Sequence, residues 1–152
     1  METPEEVTDS PTGWVAKHIR RYVETGGQDG HSYYGNETLL LTTRGRKSGK
    51  LRRTALIYAP DGDRYVLVAS NGGAANHPSW YLNLLDCADV TVQVGADTFA
   101  ARADVAGADD RSRLWELMVS VFARYAAYQR QTDRVIPVVV LTRTQEPPVT
   151  GT

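Results

Sequence analysis

Two short turns do most to limit what this chain can fold into. Pro60-Asp61-Gly62-Asp63 separates the β-rich runs 53–59 and 64–70, and Gly95-Ala96-Asp97 separates 89–94 from 98–105. Proline presets φ and glycine admits positive φ, so each turn reverses the chain within a few residues. Strands joined this tightly pair antiparallel, because a parallel pair needs a crossover of roughly a dozen residues. Two further β-rich runs, 38–43 and 135–142, bring the strands to six. Pro137 in the last run implies an edge or bulge position.

Three helices are expected around these strands. Ser10-Pro11 offers an N-cap and a first-turn proline, and Gly26-Gly27 offers a stop. Between them Trp14, Val15, Ile19, Tyr22 and Val23 form one apolar stripe, with Lys17, Arg20 and Arg21 mostly off it. A basic amphipathic helix of this kind either docks on a membrane surface or packs on its own domain. Pro78 opens a short helix that runs to Leu85. Asp109 and Asp110 suit the first turn of a long helix, with Leu114, Leu117, Met118, Val121, Phe122, Tyr125 and Tyr128 on one face. The inventory is α+β: a six-stranded antiparallel barrel flanked by helices, as one domain over 11–143, with disordered tails at 1–10 and 144–152.

Charge and cysteine content narrow the function. The 17 Lys and Arg against 18 Asp and Glu leave a net charge of −1, which excludes nucleic-acid binding driven by overall charge. A lone Cys87 excludes an internal disulfide and a thiolate zinc cluster. No apolar run approaches the ~20 residues that span a bilayer. The acidic start (Glu2, Glu5, Glu6, Asp9) is followed by no signal-peptide apolar core, so a cytoplasmic domain is expected.

Three constellations carry candidate chemistry. The first is Arg44-Gly45-Arg46-Lys47-Ser48-Gly49-Lys50-Leu51-Arg52-Arg53, in which six of ten residues are cationic. Its spacing is not that of a phosphate-binding P-loop: three residues separate the glycines, Leu follows Lys50, and a strand follows rather than a helix. It is an anion site of another kind or a solvated basic turn, and so dense a cluster repels itself unless an anion meets it. The second is Ser70-Asn71-Gly72-Gly73 with His77, Trp80 and Tyr81 behind it. Paired glycines permit close approach to a flat ligand, and Trp80 either walls a ring or packs in the core. No metal is expected there, since carboxylates are sparse and no second His is near. The third is Phe122, Tyr125 and Tyr128, neighbours on one helix face, whose hydroxyls either serve a pocket or merely reach the surface.

Together the segments LLLTTRGRKSGKLR (39–52), VASNGG (68–73), HPSWYLNL (77–84) and YQRQTDRVIPV (128–138) resemble the deazaflavin-dependent nitroreductase family, in order and in spacing. The resemblance implies a split β-barrel related to flavin-binding barrels, and coenzyme F420 in its reduced form as hydride donor. It places Arg46, Lys47 and Arg52 at the cofactor's phosphodiester and oligoglutamate tail, with Ser48 and Gly49 in the same turn. It places Ser70, Asn71, Gly72 and Trp80 near the ring, and Ser70, Tyr125 and Tyr128 on the substrate side as catalytic candidates. Phe122 stands where a family member can carry tyrosine, and Asn71 where a basic residue can contact the cofactor.

The function so implied is hydride transfer from reduced deazaflavin to a quinone, nitroaromatic or activated alkene. A quinone acceptor would suit peripheral membrane contact through residues 11–25, and related split barrels often pair as homodimers. Three other readings compete: a non-catalytic deazaflavin carrier, an FMN split-barrel oxidase, and a basic-loop nucleic-acid module. The last lacks a broad positive face or a base-stacking platform.

Overall fold

Among the described residues, six strands of five residues or more form the frame, and they are the six expected. The computed structural model describes residues 7–9, 13–25, 32–33 and 36–144. In chain order the elements are β1 (Val7–Asp9), α1 (Gly13–Thr25), β2 (Ser32–Tyr33), β3 (Asn36–Arg44), β4 (Leu51–Ile57), β5 (Ala59–Asp61) and β6 (Arg64–Val68). A single 3₁₀ turn (Asn71–Gly73), α2 (Ser79–Asp86), β7 (Asp89–Val94), β8 (Asp97–Val105), α3 (Ala108–Val121), α4 (Arg124–Gln131) and β9 (Val138–Arg143) follow. The extra strands β1, β2 and β5 have three residues or fewer. Val7–Asp9, expected within a polar tail, instead pairs parallel with Leu51–Arg53. The rest of that tail, the Ser10-Pro11 cap and residues 145–152 lie outside the described residues.

The sheet order is β1-β4-β3-β7-β8-β9-β6-β5, with β2 on β3. Every pairing but β1–β4 is antiparallel. β4 and β6 do not pair, so the sheet curls as a split barrel with its opening between them. This corrects the hairpin expected over 53–70. The tight turn joins β5 to β6 across Gly62-Asp63, while β4 pairs with β3. The second hairpin forms as expected, closed at Val94↔Asp97 with Gly95 at φ +60°. β9 is a central strand between β8 and β6, and Pro137 stands just before it, so proline costs the ladder nothing.

Strand alternation divides the apolar residues between two cores. Leu67 and Ala69 from the β6 side, with Val139 and Leu141 of β9, face the barrel interior with Leu39 and Leu41 of β3. Val66, Val68, Val138 and Val140 face outward under Leu114, Met118 and Tyr125 of the helices. Burying each of the valines, leucines and the methionine among them contributes roughly 1.5–3 kcal/mol. Register is fixed most plainly in β8, where Phe99, Ala101 and Ala103 are buried while Arg102 and Asp104 are exposed; a one-residue slip would bury both charges.

The long helix expected from Asp109 through Tyr128 is two helices. Phe122 is extended (φ −143°, ψ 96°) and α4 starts afresh at Arg124. No Gly or Pro marks the break. The preceding Val119-Ser120-Val121-Phe122 run loses side-chain freedom in a helix, which makes it a weak place to continue one.

α1 docks on its own sheet. Ile19 and Tyr22 are fully buried against Leu40 and Ala55. The Tyr22 hydroxyl shares its one proton between the Thr38 and Gln93 carbonyls (3.1 and 3.3 Å) and accepts from the Gly95 amide at 2.6 Å. Among its described side chains, Lys17, Arg20, Arg21 and Val23 remain exposed. The buried part of the expected stripe is therefore unavailable to lipid. No described helix is long and apolar enough to cross a membrane.

Candidate active site

The opening between β4 and β6 holds a cleft of about 250 Å³. Ala55, Leu56 and Ile57 of β4 form one side, and Val68, Ser70 and Gly72 the other. Phe122, Arg124, Tyr125 and Tyr128 come in from the α3–α4 break, and His18 and Thr38 from α1 and β3. The His18 Nε2 lies 3.1 Å from the Thr38 hydroxyl. At the break between α3 and α4, Phe122, Tyr125 and Tyr128 cluster, with ring centroids 5.1 to 6.4 Å apart. Such a mostly apolar wall with a few hydroxyls is the usual makeup of a small-molecule site.

The two tyrosines differ. Tyr125 is 5% exposed, and burial, with Tyr128 nearby, pushes its phenol well above the usual range. It stays protonated and can only donate or accept a hydrogen bond. Tyr128 is half-buried, with its ring 6.4 Å from those of both Phe122 and Tyr125.

The Ser70–Gly73 turn owes its shape to left-handed backbone. Asn71 (φ +48°), Gly72 (φ +63°) and Gly73 (φ +82°) follow one another there, and Asn is among the side chains that tolerate this region best. The Gly73 amide donates to the Ser70 carbonyl at 2.9 Å, and Ala74 to that of Asn71 at 3.1 Å. Gly72 faces open space. The Asn71 side chain turns away and donates to the Asn76 carbonyl at 3.0 Å.

The basic run forms the β3–β4 turn. Gly49 (φ +71°) reverses the chain, and its amide donates to the Gly45 carbonyl at 2.9 Å. Arg46 is partly committed to the fold. Its amide and one Nη donate to the Oδ1 of buried Asn83 (3.2 and 2.9 Å), whose Nδ2 donates to Thr43 Oγ1 at 3.2 Å. Lys47, Lys50 and Arg52 are exposed and have no ion pair among the described residues.

The cleft and the basic turn share β4. Arg52 is three residues from Ala55 and five from Ile57, which is about 10–17 Å of strand. The cleft is smaller than the roughly 300–1,000 Å³ of a complete ligand site. It suits one ring system, with the remainder of a longer molecule extending outside. A flat ring carrying an anionic tail therefore fits: apolar and aromatic walls at one end of the strand, and at the other exposed cations with no ion pair among the described residues.

Of the residues singled out from the sequence, the cleft brings together Ser70, Gly72, Phe122, Tyr125 and Tyr128. Arg46, Lys47, Ser48, Gly49 and Arg52 stand in the basic turn, outside the cleft lining. Trp80 also lies outside it; the ring packs against the barrel core, edge-on to Tyr81 at 6.4 Å. Sequence reasoning missed the β4 wall, His18, Thr38, Val68 and Arg124. It also missed Arg134, whose only sequence signal was its place inside the segment 128–138.

Fold and cleft together define a small split-barrel protein with a site for a flat ligand. Remote structures show the same fold, among them a heme storage protein of Vibrio cholerae, 14% identical, covering 87% of this chain and 92% of that one (TM-score 0.55). The model of the F420H(2)-dependent quinone reductase family matches residues 14–143, and the chain belongs to that family. An F420H(2)-dependent quinone reductase of Mycobacterium tuberculosis H37Rv is 44% identical over 143 residues, covering 86% of this chain and 96% of the relative. The structure of an F420-H2 dependent reductase is 39% identical, covering 68% of this chain and 92% of that one (TM-score 0.64). A further solved structure, described only as a domain-swapped dimer, is 38% identical, covering 87% of this chain and 99% of that one (TM-score 0.67). Membership agrees with the deazaflavin cofactor and the reductase activity expected from the sequence, and favours them over a non-catalytic carrier.

Proposed function

We propose that this protein reduces a quinone with reduced coenzyme F420, holding ring and acceptor in the β4–β6 cleft and the anionic tail on the β3–β4 turn. The observation that carries this reading is the shared strand: β4 lines the cleft with Ala55–Ile57 and at its other end bears Arg52, which has no ion pair among the described residues, next to the turn bearing Lys47 and Lys50. When bound, the reduced deazaflavin supplies a hydride, and quinone plus hydride plus one proton gives hydroquinone. The chain's share is binding, orientation and shielding. Lys47, Lys50 and Arg52 hold the tail, with the free donors of Arg46 beside them; Ser48 and Gly49 shape the turn. Asn71, bonded to the Asn76 carbonyl, and Trp80, packed on the barrel core, support the site from outside the cleft and do not touch the ring. Ala55, Leu56, Ile57 and Phe122 exclude water from the ring faces. Ser70, Tyr125 and Tyr128 donate hydrogen bonds to the acceptor oxygen on which charge develops, and Tyr128 or Ser70 passes the proton in from solvent.

Titration of the purified protein with F420, followed by oxidation of F420H2 with a soluble naphthoquinone, tests the reading. Binding with turnover is expected. Binding without turnover by any quinone or nitro compound would return the carrier reading. A protein that purifies with a flavin absorbance band and ignores F420 would point to an FMN enzyme.

The proposed assembly is a homodimer. A solved structure matched over 99% of its own chain is described as a domain-swapped dimer, and no described strand covers the β4 edge beyond Arg53. Light scattering at the monomer mass would remove the dimer.

A further inference from the structure

Arg134 does not line the cleft, yet its side chain holds the turn that does. Its Nε donates to the Ala74 carbonyl at 2.9 Å. One Nη donates to the Ala69 carbonyl at 3.2 Å and to His77 Nδ1 at 3.0 Å; the other donates to the Ser70 carbonyl at 2.6 Å. The guanidinium thus grips the chain on both sides of Asn71–Gly73. Because His77 Nδ1 accepts, its ring proton sits on Nε2, and the ring lies against Tyr81 with centroids 4.8 Å apart.

The segment bearing Arg134 is itself fastened to α4. Gln129 Nε2 donates to the Arg134 carbonyl at 2.8 Å, and the Ile136 amide donates to Gln129 Oε1 at 2.9 Å. Gly73 closes the circuit against the α4 backbone, where a Cβ would stand 3.1 Å from Tyr128 Cα. The turn carrying Ser70 and the helix carrying Tyr128 are therefore joined twice, once by direct contact and once through Arg134 and Gln129. Both residues line the same cleft. Catalytic groups must be held to within about 0.5 Å, and a misplacement of ~1 Å can cost roughly a hundredfold in rate.

We infer that Arg134 is a positioning residue: gripping the carbonyls of Ala69, Ser70 and Ala74, it sets the placement of Ser70 relative to Tyr128 without touching cofactor or acceptor. The inference rests on the reductase reading above. Lysine is no substitute, because an ammonium is a compact point charge while the guanidinium fork reaches four acceptors in fixed directions.

The test uses the full-length protein and its Arg134→Ala and Arg134→Lys variants. F420 affinity is measured by fluorescence titration, kcat and KM with F420H2 and a naphthoquinone, and the thermal midpoint alongside. The expected result is a kcat lowered about tenfold or more in both variants. F420 affinity should stay within about threefold, because the tail is held at the remote basic turn. Millimolar guanidinium should restore part of the lost kcat in Arg134→Ala, and methylammonium should not. A kcat within about twofold of the parent would overturn the inference. So would a joint fall of kcat, affinity and thermal midpoint with no guanidinium rescue, the mark of a merely structural residue. A parent protein that neither binds F420 nor oxidises its reduced form would overturn the reductase reading and this inference with it. An active parent matched by Arg134→Ala would overturn the positioning role alone.

Discussion

Gly73 rests directly on the backbone of Tyr128. A Cβ at Gly73 would stand 3.1 Å from both the Tyr128 Cα and carbonyl oxygen, and 2.7 Å from Gln131 Oε1. The Gln131 amide can rotate away, but the α4 backbone cannot. Gly73→Ala must therefore lift the turn off α4, and it also puts a side chain at φ +82°. The expected loss is about 1–3 kcal/mol, with kcat falling as Ser70 and Tyr128 separate. Gly72→Ala shares the positive φ but meets nothing within 4 Å, so it should cost only about 1 kcal/mol. Urea unfolding compares the two; equal losses would mean that the Tyr128 contact contributes nothing.

The exposed cations make a salt-dependent prediction. Lys47→Ala and Arg52→Ala should each weaken F420 binding about two- to fivefold at low ionic strength, the range of an exposed ion pair. The effect should shrink as salt shortens the screening length to about 10 Å near 0.1 M and less beyond. Arg46→Ala should behave differently, lowering thermal stability as well, because it strips the buried Asn83 Oδ1 of its guanidinium donor. Titration across a salt series measures the slopes. Unchanged affinity in both Lys47→Ala and Arg52→Ala would place the tail elsewhere.

Much of the frame was legible because its signals are local. Glycine at 62 and 95 supplies the positive φ of two-residue turns, and the runs beside them alternate with the pleat. What was not legible depends on distant pairing. Nothing local says that β4 turns back onto β3 while β5 alone meets β6, and the cleft exists only because β4 and β6 stay apart. Ala55, Leu56 and Ile57 therefore read as ordinary strand residues. The helix break at Phe122 was hidden because it uses neither Gly nor Pro. Ser70, Tyr125 and Tyr128 could be picked out by resemblance and by hydroxyl chemistry. Arg134 could not, since one arginine in a loop forms no pattern until its four acceptors are seen.

The tyrosines separate by their surroundings. Tyr128→Phe should lower kcat by about tenfold or more with F420 affinity unchanged, since one well-placed donor contributes up to ~3 kcal/mol in the transition state. Tyr125 is a permanent donor, because burial raises its phenol pKa beyond the ordinary range. Any alkaline limb of the pH–rate profile should therefore survive in Tyr125→Phe. Loss of such a limb in that variant would contradict the buried, protonated state.

Acid stability should depend on Asp61. Its carboxylate accepts from Arg113 at 2.9 and 3.2 Å and from Arg64 at 2.5 Å, tying the β5–β6 hairpin to α3. These bonds, Arg113's first and then Arg64's, lower its pKa from 3.8 to about 2. In the unfolded chain the carboxyl returns to its ordinary value, so as pH falls the unfolded state takes up the proton first. The stabilisation is complete above the ordinary carboxylate range and is lost as pH falls from about 4 to about 2. Asp61→Asn should accordingly melt below the parent at about pH 6, with the gap closing toward about pH 2. Thermal midpoints of both proteins across that range decide the matter: a gap that stays constant would show that the ion pairs with Arg64 and Arg113 are not what stabilises the hairpin.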